Sequence, residues 1–315
     1  MKIKIALTTA IILVAVLWGL KNLFEQKAHK QKPTTKHKTK NLYAVKPAGI
    51  PSELTFAGEI VPVNYYDVRE RLDRELLVNK FWHSSTFQLI KRANRYFPVI
   101  EKILREEGVP EDFKFLAVAE SGLQNVISPS GATGFWQFLR GAAGDFNLEV
   151  NNEVDERYHL EKSTRAAAKY LKWNYEKFGT WTMTAAAYNF GRTNILRQIN
   201  RQDCKNYYDL LLPEETERYV FRLIALKLIL SNPEKYGFQL KQNDLYPAIE
   251  SRTIEINGKI KDFATFAHNH GISYRMLKEF NPWLRENYLT NRRKKTYQIK
   301  IPVKHFRHQY DHLSY

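Results

Sequence analysis

Residues 110–122, Pro110-Glu-Asp-Phe-Lys-Phe-Leu-Ala-Val-Ala-Glu-Ser-Gly122, begin with proline and two acids and end in glycine. A helix favours acids at its positive end and stops where glycine turns the chain, so this stretch reads as one short helix. Phe113, Leu116, Ala117 and Glu120 stand at i, i+3, i+4 and i+7 and therefore share a face. Glu120 thus sits on the apolar side, in the last turn. Burial and the negative helix end both disfavour its ionised form, so its pKa should rise. A carboxyl that stays protonated near neutral pH suits general acid catalysis. A structural glutamate that caps or pairs locally fits the same spacing, and spacing alone leaves both readings open.

Outward from this helix the pattern stays helical from about Pro51 to Tyr236, with few strand signals. Upstream, Pro98 to Gly108 has apolar residues at helical spacing and ends in glycine, which predicts a helix starting at Pro98. The 315-residue chain is 43% hydrophobic, enough for one catalytic-sized domain and a small second module.

The net charge of +16 suggests nucleic acid until it is located. Most of it lies in residues 1–40 and 241–315, which leaves the body at 41–240 nearly neutral. A nucleic-acid groove in the body is disfavoured, and no nucleic-acid partner is expected. Cys204 is the single cysteine, and no Cys/His cluster has metal-ligand spacing; neither metal nor cofactor is expected.

At the N-terminus, Lys2 and Lys4 precede an uncharged apolar run at 5–20. Residues 1–24 read as a membrane anchor or a signal peptide, the anchor being favoured because no clear cleavage site follows. Residues 25–50, polar, basic and proline-containing, read as a linker.

Four motifs follow in order: Glu120-Ser121, Gly134-Phe-Trp-Gln137, Ala187-Tyr-Asn-Phe-Gly191 and Glu215-Thr-Glu-Arg-Tyr219. Together, over about residues 51 to 235, they resemble the lytic transglycosylases of the goose-type lysozyme (SLT) superfamily. The resemblance implies a mainly α, lysozyme-like catalytic domain, taken here as 51–240, acting on peptidoglycan glycan strands. It also implies Glu120 as the one catalytic acid/base, with Ser128, Gln137, Tyr188, Asn189 and Tyr219 binding substrate. No second carboxylate lies in a motif, whereas most glycosidases need two. The implied alternative is intramolecular: Glu120 protonates the glycosidic oxygen, and the muramyl C6 hydroxyl attacks C1 to leave a 1,6-anhydromuramyl end. Trp136 and Phe190 fit either groove wall or core, and Asp155-Glu156-Arg157 resembles a structural turn.

Residues 248–303 read as strand, helix, helix, strand, with Asn281-Pro-Trp-Leu284 before the last strand. This βααβ order resembles a LysM domain, which implies glycan binding, although Gly258-Lys-Ile-Lys261 replaces the usual Gly-Asp-Thr-Leu. On a linker, such a module would mainly concentrate substrate, so deletion of residues 245–315 would weaken binding to insoluble peptidoglycan but spare cleavage of short glycan fragments. Two other readings remain: a hydrolytic muramidase on the same fold, and a non-catalytic glycan-binding envelope protein. Under the leading reading the protein works in the cell envelope, on the periplasmic side of a membrane that holds its N-terminal segment.

Overall fold

The computed structural model describes residues 47–304 and 306–308, together with Trp18 and Lys21. Apart from Trp18 and Lys21, the expected anchor, and with it most of the linker, lies outside the described residues. Among the described residues no helix is long and apolar enough to cross a membrane.

A two-stranded hairpin, β1 (Thr55–Phe56) and β2 (Glu59–Ile60), precedes α1 (Tyr66–Phe81) and α2 (His83–Glu106). Then come α3 (Lys114–Ser121), α4 (Arg140–Asp145), α5 (Leu160–Phe178), α6 (Trp181–Phe190), α7 (Arg192–Gln202) and α8 (Glu214–Ser231). The mainly helical architecture agrees with the sequence. Helix α8 is the hub, packed by α1, α3 and α6. Nine of its side chains are buried, from Thr216 to Ile229, as befits a helix enclosed on most sides. Its first turn places Glu214, Glu215 and Glu217 at the positive end of the helix dipole.

Two helix starts differ from expectation. Helix α2 runs through Pro98 because the stripe Leu89, Ile90, Ala93, Ile100, Ile103 and Leu104 is buried on both sides of it. Pro98 itself is exposed, so water can satisfy the carbonyl one turn back that loses its donor. Helix α3 is preceded by a tighter 3₁₀ turn, Glu111–Phe113, and ends as expected at left-handed Gly122, φ 60°.

The C-terminal part follows the βααβ order: β3 (Ser251–Ile256), α9 (Phe263–Asn269), α10 (Tyr274–Phe280) and β4 (Tyr297–Pro302), with β3 and β4 antiparallel. Helix α9 begins at Phe263 because Asp262 is its cap and accepts from the backbone of Ala264 and Thr265 at 3.3 and 2.7 Å. The module is docked, not tethered. Val154 and Tyr158, which precede α5, are buried in one apolar cluster with Phe263, Leu277, Trp283, Leu284 and Ile299. Polar contacts frame this seam. Arg285 N donates to Glu153 O at 2.8 Å, and Lys295 Nζ and the Tyr297 hydroxyl donate to Glu149 at 2.9 and 3.0 Å. Lys300 pairs with Glu161; burial opposes that carboxylate, but His159 and Lys300 outweigh it and hold the pKa at about 2.

Candidate active site

Glu120 occupies the last turn of α3, half-buried, with Leu116 and Ala117 beneath it in the core. The Tyr219 hydroxyl, from α8, donates a hydrogen bond to Glu120 Oε1. Burial raises the Glu120 pKa, and Glu215 adds to the rise; the Tyr219 bond and the Arg222 charge oppose both. The net direction is up, as the helical spacing predicts.

Burial, and then the adjacent Glu120 carboxylate, push the Tyr188 and Tyr219 hydroxyls well above the usual phenol range. Both phenols therefore remain hydrogen-bond donors at any physiological pH. Tyr188, in α6, spends its proton on Trp136 O at 2.7 Å. Its neighbour Asn189 accepts from the Thr216 hydroxyl at 2.9 Å, which locks α6 to α8. Three of the six sequence-predicted residues, Glu120, Tyr188 and Tyr219, thus form one electrostatic cluster, and Asn189 is anchored beside them.

The other two lie on the loop after α3. Ser128 Oγ stands 2.9 Å from Ser130 Oγ and accepts from Ala132 N at 3.0 Å, shaping its own turn. Gln137, at φ 50°, donates from Nε2 to Gly134 O at 2.8 Å and Val126 O at 3.1 Å. Its amide oxygen is left for other donors. Trp136 is fully buried, with Nε1 donating to Thr164 Oγ1 at 2.9 Å, so it belongs to the core. The loop is tied to the acid by Ser121, whose buried hydroxyl lies 3.0 Å from both Ala117 O and Phe135 O.

Two groups stand outside the predicted site residues. Asp155 and Arg157 form a buried bidentate pair at 2.9 and 2.7 Å, and Arg157 Nη1 also donates to Gly131 O and Phe138 O at 3.1 and 3.2 Å. The Arg157 backbone presses against Gly134: a Cβ there would stand 2.0 Å from Arg157 O, at a φ of +83°. Only glycine fits. Secondly, Glu75, buried between Leu72 and Leu76 on α1, accepts from Arg218 Nε at 2.6 Å, while Arg222 pairs with Glu215 at 2.9 Å. A charge between two core leucines is the signal that marks Glu75 in the sequence. Cavities of about 740, 1170 and 220 Å³ lie elsewhere, and Glu120 lines none of these three.

Residues 97–211 match the family model of the transglycosylase SLT domain, and residues 252–305 match that of the soluble lytic transglycosylase C-terminal LysM-like domain. Over 220 residues the chain is 28% identical to membrane-bound lytic murein transglycosylase D of Escherichia coli strain K12, covering 68% of this chain and 47% of that protein. It is 27% identical over 117 residues, 36% of this chain and 56% of the relative, to a putative tributyltin chloride resistance protein of Alteromonas sp. strain M-1. The 70 kDa soluble lytic transglycosylase of Escherichia coli aligns with a TM-score of 0.38 and 18% identity, covering 49% of this chain and 27% of that one. The chain spans about half the length of the lytic murein transglycosylase D sequences it matches. Tyr219 lies beyond the segment matched by the SLT model, so its place beside the acid rests on the contact itself.

Proposed function

We propose that this chain, which carries an SLT domain followed by a LysM-like module and is homologous to the murein transglycosylases D, is itself a peptidoglycan lytic transglycosylase. Glu120 serves as the single acid/base. The observation that carries this reading is a half-buried carboxyl with a raised pKa, held by the Tyr219 hydroxyl, while Glu215, whose charge acts on it, and the buried acids Glu75 and Asp155 are already paired. Asp155 is neutralised by Arg157, Glu75 by Arg218, and Glu215 by Arg222.

In the proposed reaction the protonated Glu120 gives its proton to the oxygen between N-acetylmuramic acid and N-acetylglucosamine, and the C1–O bond breaks. The muramyl C6 oxygen bonds to C1, and its proton passes to the Glu120 carboxylate. The acid is regenerated, no water is consumed, and the product ends in 1,6-anhydromuramate. Tyr219 holds the carboxyl through both steps. Asn189 and the Gln137 amide oxygen present polar groups to sugar hydroxyls and acetamido groups, and Ser128 does so at the loop turn. Division into 51–240 and 248–303, and attachment to the periplasmic face of a membrane through residues 1–24, belong to the same proposal.

Digestion of purified sacculi followed by mass spectrometry tests it. Anhydromuramyl ends are expected. Reducing ends would mean a hydrolytic muramidase, and intact sacculi would leave only a glycan-binding protein.

A further inference from the structure

The C-terminal module meets the rest of the chain largely through residues 149–161, the stretch that also grips the active-site loop. On one side, Asp155 N donates to Trp283 O at 2.8 Å, Val154 bridges Leu284, and the backbone and hydroxyl of Thr290 both donate to Glu153. The Trp283 ring lies between His159 and Tyr297, at centroid distances of 5.7 Å to each. On the other side, the Asp155 carboxylate holds Arg157, and Arg157 reaches Gly131 O in the middle of the loop and Phe138 O at its far end. Tyr158 O accepts from Asn125 at 3.4 Å, and Phe135 O in the same loop meets the hydroxyl of Ser121, next to the acid.

We infer that the module is a brace for the active-site loop, with Asp155 and Arg157 as the positioning residues that carry its grip to residues 125–138. The inference rests on Glu120 being the acid for its kinetic consequence, but not for its structural one. A strip of chain between two bodies holds its shape only if both faces are occupied. Without the module, the face of 149–161 that carries Val154 and Tyr158 is apolar and open to water. The buried Asp155–Arg157 pair would then gain solvent access and lose the geometry that makes it rigid. Small losses of position near a catalytic acid are costly, since a displacement of about 1 Å removes about a hundredfold in rate.

The test uses the full-length protein with Trp283→Leu, which removes the ring between His159 and Tyr297 but touches nothing near Glu120. Amide exchange read by mass spectrometry should rise about fivefold or more at residues 125–138, while helices α6 and α8 keep wild-type protection. On short soluble glycan fragments kcat should fall about tenfold with KM nearly unchanged, which a loosened binding arm would not produce. Trp283→Phe, retaining a ring in the same slot, should restore both. Should Trp283→Leu fail to fold, the double variant Thr290→Val/Lys295→Met loosens the same seam from its exposed rim and should raise exchange in the same loop. Unchanged exchange at 125–138 in the folded seam variants overturns the brace, as does a rise in KM at constant kcat. A wild-type protein that cleaves nothing would sink the enzymatic reading alone, and the exchange measurement would still decide the brace.

Discussion

The hydroxyl of Tyr219 donates to the carboxylate of Glu120 from a helix 99 residues further along the chain. The bond sets the acid's orientation and opposes the rise in pKa that burial imposes. Its two partners come from the short helix α3 and from the buried hub α8, so the site is built on the most enclosed part of the fold.

Removal of the proton is the most direct perturbation. Glu120→Gln should keep the circular dichroism of the wild type and lower the rate on sacculi about a thousandfold, since an amide has no proton to give. Retention of more than a few per cent of wild-type turnover would show that another group is the acid.

The same substitution should alter the dependence of stability on pH. The folded pKa of Glu120 lies above its ordinary value of 4.5. Its contribution to stability is therefore full below about pH 4.5 and is lost as pH rises through the folded pKa. Glu120→Gln escapes that loss. The melting temperature of the variant relative to wild type should increase between about pH 4 and pH 8, a trend that scanning calorimetry can read. A constant difference across that range would mean that the carboxyl is not strained by burial.

Tyr219→Phe removes a hydrogen bond that favours the ionised carboxylate, so the Glu120 pKa should move further up. The basic limb of the kcat/KM profile should shift to higher pH, while kcat drops about tenfold because the carboxyl is no longer held. A shift to lower pH would contradict the assigned direction of that bond.

Gly134→Ala places a methyl group against the Arg157 carbonyl at a backbone angle that alanine resists. The expected cost is about 2–4 kcal/mol, visible as a lowered denaturant midpoint, with activity lost in the folded fraction. A neutral result would require the 155–157 turn to move freely.

Deletion of residues 245–315 now carries the opposite expectation from that of a tethered module. Val154 and Tyr158 would lose their apolar neighbours and Glu161 its lysine. The shortened protein should be less stable and should fail on short fragments as well as on sacculi. Full activity on short fragments would restore the picture of an independent binding arm.

Much of this was legible in the sequence, for identifiable reasons. Glu120 announces itself because a charged residue on an apolar stripe just before a terminating glycine violates the local pattern. Tyr188, Asn189 and Tyr219 stood out through motif order. Pro98 misled because tertiary packing on both sides of it overrode what reads locally as a helix start. The clasp of Asp155 and Arg157 was hidden because it joins a turn to the carbonyls of another loop, and carbonyls leave no mark in a sequence. Docking of the module was hidden for a related reason: it turns on Val154, a single apolar residue within a polar stretch, and on the Trp283-Leu284 pair, whose distant partner leaves no periodicity.

The seam between residues 149–161 and 283–300 also fixes an order in time. Its partners stand well over a hundred residues apart, Thr290 from Glu153 by 137 and Lys300 from Glu161 by 139. Pairings of such separation are among the slowest to close, and a chain made from its N-terminus cannot close them until the later partner exists. Every motif of the catalytic part is therefore synthesised before the loop beside Glu120 can be clamped. Under the proposed function, activity would thus stay slack through biogenesis and become full only once β4, Tyr297–Pro302, has been made.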